Sequence, residues 1–86
     1  MKYKNLFNLK NKVSVVTGAC GILGKEFSNA LAEFGSKVAI IDLNQNDVDK
    51  LALQITRKFN IKCIGIKCDV SNENQVKKMV DEVENK

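Results

Sequence analysis

The sequence predicts an α/β fold, the first βαβαβα half of a doubly wound parallel sheet, with three strands and three helices. Three observations predict it. Short β-branched runs alternate with segments whose apolar residues recur at helical spacing. A glycine-rich turn joins the first such run to the first helical segment. No proline, repeat or low-complexity linker divides the 86 residues, so the alternation runs through one small unit.

Val13-Ser14-Val15-Val16-Thr17 reads as a buried parallel strand, ended by Gly18. From Ile22 to Phe34 the residues Leu23, Phe27, Ala30, Leu31 and Phe34 form one helical stripe. Gly35 is expected to stop that helix, because glycine enters the left-handed conformation without steric cost. Lys37–Asp42 is a second buried strand. Asn44 then reads as a helix N-cap, with Asp47 near the positive helix end. Val48, Leu51, Ala52, Ile55 and Phe59 share one face of that helix. Lys62–Cys68 is the third strand. Ser71 is expected to cap a third helix, whose stripe is Val76, Met79, Val80 and Val83.

Composition narrows the function classes. With 44% hydrophobic and 28% charged residues, the chain is globular, not a disordered tail or a disulfide scaffold. No apolar run approaches the roughly 20 residues of a membrane helix, and no secretory apolar core follows the first lysines. Three cysteines are an odd count, so reduced thiols in a cytoplasmic protein are expected. The net charge of +4 belongs to residues 1–12, which carry four lysines and no acid; the rest is balanced. Residues 1–12 thus read as a solvated basic extension and 13–86 as the folded unit. No aromatics interleave with those lysines, so nucleic acid is not an expected partner.

The chemistry sits in Thr17-Gly18-Ala19-Cys20-Gly21-Ile22-Leu23-Gly24, the phosphate turn of a Rossmann-type sheet. Gly18 serves the tight turn. Gly21 leaves no side chain between backbone and pyrophosphate. Gly24 permits close helix–strand packing, and the helix start offers free N–H groups to phosphate. Asp42, with Leu43 beside it, ends the second strand 18 residues after Gly24. A carboxylate there accepts hydrogen bonds from adenosine ribose hydroxyls and repels a 2′-phosphate, so NAD is expected over NADP. Cys20 lies in the loop near a helix N-terminus, a position that can lower a thiol pKa, but the thiol is read as incidental, with no redox or catalytic use expected. Cys63 and Cys68 are five apart on a strand and so fall on opposite faces, which disfavours pairing or shared metal ligation. Without histidine or a Cys-x-x-Cys, no metal site is expected.

Leu9-Lys10-Asn11-Lys12-Val13-Ser14-Val15-Val16-Thr17-Gly18-Ala19, the loop, Ala32-Glu33-Phe34-Gly35-Ser36-Lys37-Val38 and Asp69-Val70-Ser71 resemble the N-terminal part of a short-chain dehydrogenase/reductase. The resemblance implies an NAD-dependent oxidoreductase that moves hydride between cofactor and a small alcohol or carbonyl substrate, and a homo-oligomer when complete. It implies that Asp69 bonds the adenine ring with the Val70 backbone against it. It also implies that Gly18, Gly21, Ile22, Leu23 and Gly24 hold the pyrophosphate and Asp42 the ribose.

Two departures qualify the resemblance. The common family loop has glycine where Ile22 stands; the spacing Thr-Gly-x-x-Gly-x-x-Gly is typical of the extended subfamily of sugar-nucleotide epimerases and dehydratases. The family's Ser, Asn-Ala-Gly and Tyr-x-x-x-Lys have no counterpart here: the only tyrosine is Tyr3, followed four residues on by Phe7. No catalytic residue is therefore assigned, and the chain by itself is expected to be an inactive fragment. Its first strand would be left as an open sheet edge. The alternatives are an extended-type epimerase or dehydratase fragment and a non-catalytic nucleotide-binding module.

Overall fold

The computed structural model describes residues 9–85. Lys2, Tyr3, Lys4 and Phe7 of the basic extension lie outside them. The order is β1 (Val13–Thr17), α1 (Ile22–Glu33), β2 (Lys37–Asp42), α2 (Gln45–Phe59), β3 (Cys63–Lys67) and α3 (Glu73–Glu84). All three strands are parallel, in the order β1-β2-β3, with Val15 opposite Ala39 and Ala39 opposite Ile64. The expected three-strand, three-helix half-sheet is the fold observed.

Alternation along β2 divides the core into two faces. Val38 and Ile40 pack with Ala32 of α1 and with Val48, Leu51, Ala52 and Ile55 of α2. Ala39 and Ile41 pack on the opposite face with Ile66, Cys68 and Met79. Cys63 and Cys68 join opposite clusters, as their odd spacing requires. Gly65 has a packing reason that its sequence context did not reveal. A Cβ there would stand 2.6 Å from the Val48 carbonyl, so a side chain would push α2 off the sheet.

Local signals account for most boundaries. The α1 helix ends in a Schellman turn: Gly35 has φ +99°, and Ser36 and Gly35 donate to the Leu31 and Ala32 carbonyls. Asn44 Oδ1 accepts from the Asp47 amide at 3.0 Å, the expected cap of α2. Leu9 and Lys12 are joined to the fold: Leu9 N donates to Phe34 O, and Lys37 N donates to Lys12 O.

Three expectations need correction. Asn72 caps α3, not Ser71: its side chain accepts from Gln75 N, while Ser71 turns back to Asp69. Val80 of the expected α3 stripe is exposed. The third correction concerns β1 and α1. Val13 and Val15 are exposed, as are Leu23, Phe27 and Ala30; α1 instead buries Ser28 and Ala32. Among the described residues the strand is paired on one side only, the open edge expected of it, so the α1 stripe overhangs an edge that no described strand covers. Phe27, Ala30, Leu31 and Phe34 line a shallow apolar hollow there with Val15 and Val16. Among the described residues, no helix is long and apolar enough to cross a membrane.

Candidate dinucleotide site

The carboxyl ends of all three strands lie on one edge, and the sequence-predicted residues line up along it. Gly18 turns the chain out of β1 at φ +62°, a conformation that a branched side chain strongly disfavours. Ala19 N then donates to Ile41 O at 3.1 Å, which holds the loop against β2. Gly24 is fixed by sterics: a Cβ there would collide with the Gly18 carbonyl and lie 2.7 Å from Ala19 Cα. Gly21 differs. A Cβ there would meet only Gly18 O, at an ordinary 3.5 Å, so the protein's own packing does not demand glycine.

Gly21 is also the N-cap of α1, and no side chain caps that helix. The first-turn N–H groups of a helix have no intrahelical acceptor. Here no acid stands in that turn, so it remains open to an anion. The uncapped turn and the bare Gly21 are what a pyrophosphate requires, so the residues present fit a dinucleotide.

Asp42 holds the next position. Its Oδ2 accepts from Cys20 N at 2.9 Å and its Oδ1 from Leu43 N at 2.8 Å, which ties the glycine loop to the end of β2. Cys68 N donates to Asp42 O at 2.9 Å, linking the ends of β2 and β3. Asp69 follows directly. Its Oδ1 accepts from Ser71 N and from Ser71 Oγ, at 3.0 and 2.6 Å, and these bonds hold its carboxyl below the usual range. Ile22, Leu23, Leu43 and Val70 stand along the edge with more than half their surface exposed.

Cys20 lies near the α1 start, yet its surroundings do not favour a thiolate. Burial, followed by the Asp42 carboxylate, pushes its thiol above the ordinary value; Lys25 opposes them and does not prevail. Burial also pushes Cys63 up to about 11. Cys20 shares a small polar hollow with Lys25, Asp47 and Lys50; the two lysines lie outside the loop and were not apparent from the residues around Asp42. Among the described residues, no three His, Cys, Asp or Glu side chains gather as a metal site would need.

Sequence reasoning missed Gln75, whose Oε1 accepts from Asp69 N at 2.8 Å. The signal was present in Asn72-Glu73-Asn74-Gln75, which has capping-box spacing.

A glycine turn at an open helix start, with acids closing the next two strands, defines a nucleotide-binding α/β unit. The family model described as short chain dehydrogenase matches residues 12–86, and the chain belongs to that family. It is 39% identical over 80 residues to a sorbose reductase of Candida albicans, covering 93% of this chain and 28% of that protein. It is 36% identical over 83 residues to an NADP-dependent mannitol dehydrogenase of Alternaria alternata, covering 93% and 31% respectively. The crystal structure of an NADPH-dependent 3-quinuclidinone reductase from Rhodotorula rubra superposes with a TM-score of 0.88 at 27% identity, covering 95% of this chain and 31% of that one. The chain thus spans less than a third of each.

Proposed function

We propose that the chain is the cofactor half of a short-chain oxidoreductase and that it prefers NAD to NADP. The Asp42 carboxylate carries this reading, because it is hydrogen-bonded to the same glycine loop whose helix start is free for phosphate. In the proposed complex the first-turn amides of α1 and the bare Gly21 receive the pyrophosphate. Asp42 accepts from the ribose hydroxyls, and Asp69 faces the adenine. The cofactor supplies hydride chemistry at its nicotinamide. The proton donor or acceptor is proposed to come from elsewhere in a longer polypeptide, since the chain holds no histidine and its only tyrosine is Tyr3.

The relatives named above support a small alcohol, carbonyl or sugar-type substrate, and a reductase or dehydrogenase over an epimerase or dehydratase. A homo-oligomer in the cytoplasm completes the proposal. The mannitol dehydrogenase and the quinuclidinone reductase are named for NADP and NADPH, so the NAD preference rests on Asp42 alone. Titrating both cofactors into the protein tests it. NAD should bind at least about tenfold more tightly, from like-charge repulsion of the 2′-phosphate. The double change Asp42→Ala and Leu43→Arg should narrow or invert the ratio. A preference for NADP in the unsubstituted protein would reject the assignment.

A further inference from the structure

We infer that Gln75 is a positioning residue for the adenine end of the proposed cofactor site, acting through the Asp69 backbone. The inference rests on the cofactor reading above and extends it to a side chain outside the edge. In an ordinary capping box the third helical residue reaches back to the N-cap's own amide. Here that amide is taken, because Asn72 N donates to Asp69 O at 2.9 Å. Gln75 Oε1 reaches further and accepts from Asp69 N at 2.8 Å, while Gln75 N donates to Asn72 Oδ1 at 3.1 Å.

The result is a closed ring of hydrogen bonds from the start of α3 to the end of β3. The Asp69 amide is held by Gln75, its carbonyl by Asn72, and its Oδ1 by Ser71. Oδ2 is the carboxylate oxygen that this ring leaves for a ligand. Each of these groups is near solvent, and water could satisfy any of them, so the ring contributes orientation more than stability. It fixes the Asp69 carboxylate and the Val70 peptide before a ligand arrives.

The test compares the two ends of the cofactor on the full chain. Adenosine 5′-monophosphate and nicotinamide mononucleotide are titrated separately, alongside NAD, into the unsubstituted protein, Gln75→Leu and Gln75→Glu. Gln75→Leu should weaken adenosine monophosphate and NAD by about tenfold, the worth of one orienting hydrogen bond. It should leave nicotinamide mononucleotide unchanged. Gln75→Glu, which keeps an acceptor oxygen, should restore most of the loss. Amide exchange at Asp69 should quicken in Gln75→Leu and not in Gln75→Glu. Equal weakening of both mononucleotides, or no weakening of either, would overturn the inference while the cofactor reading stands. If the unsubstituted chain, folded by circular dichroism, binds neither NAD nor adenosine monophosphate, the cofactor reading fails and the inference falls with it.

Discussion

Three helices begin at the same edge of the sheet, and one of them begins differently. The α2 and α3 helices each start behind an asparagine whose side chain accepts a first-turn amide, and each carries an acid in that turn, Asp47 or Glu73. These ends satisfy and neutralise themselves. The α1 helix starts behind Gly21, with neither side-chain cap nor first-turn acid. The difference separates two helix ends that are capped by their own side chains from one that is not, the end proposed to receive phosphate. It is a property of a few residues, Gly21 against Asn44 and Asn72.

Substitutions can break or sharpen that contrast. The largest effect should come from Gly18→Val. At φ +62° a β-branched residue costs about 1–3 kcal/mol and reshapes the turn that leads to the open helix start. Dinucleotide binding should be lost, as judged by titration calorimetry, with circular dichroism reporting whether the sheet survives. Gly21→Asp would make α1 resemble its neighbours. There is room for the added Cβ, so stability should rise by up to about 1 kcal/mol while NAD affinity falls about tenfold to a hundredfold. The opposite signs of melting temperature and affinity distinguish this from simple damage. Asn44→Ala acts on the self-satisfied class. It should cost about 1 kcal/mol of stability and leave NAD affinity essentially unchanged. Cys20→Ser should have the smallest effect. The raised thiol pKa keeps Cys20 protonated from acid to neutral pH and beyond, so below its ordinary value near 9.0 no thiolate charge is removed. Affinity should hold across pH 6–8, and alkylation of the native thiol should be slower than that of a free one.

Much of this arrangement was legible in the residues themselves. The glycine turn, the Asn44 cap and the Gly35 stop depend on positive φ or on a side chain reaching three residues along, and short-range rules describe both. What escaped depends on competition and on neighbours. Ser71 and Asn72 are both good caps; Asp69 settles the matter by engaging the amide and hydroxyl of Ser71. The α1 stripe has helical period, but period does not say which side of a sheet is occupied. Phe27 therefore lies exposed beyond the β1 edge, while Ser28 packs inward. The bond from Asp69 to Gln75 spans six positions and leaves no periodic trace.

The clasp between Asp42 and the glycine loop ties the proposed ribose carboxylate to the shape of the loop. A lineage that exchanged Asp42 for a small residue, to admit a bulkier anion, would also release the amides of Cys20 and Leu43. The Cys20 amide is partly buried, and leaving it without an acceptor costs about 1 kcal/mol. On the proposed reading, a change of cofactor at position 42 would therefore also call for a new acceptor for the loop.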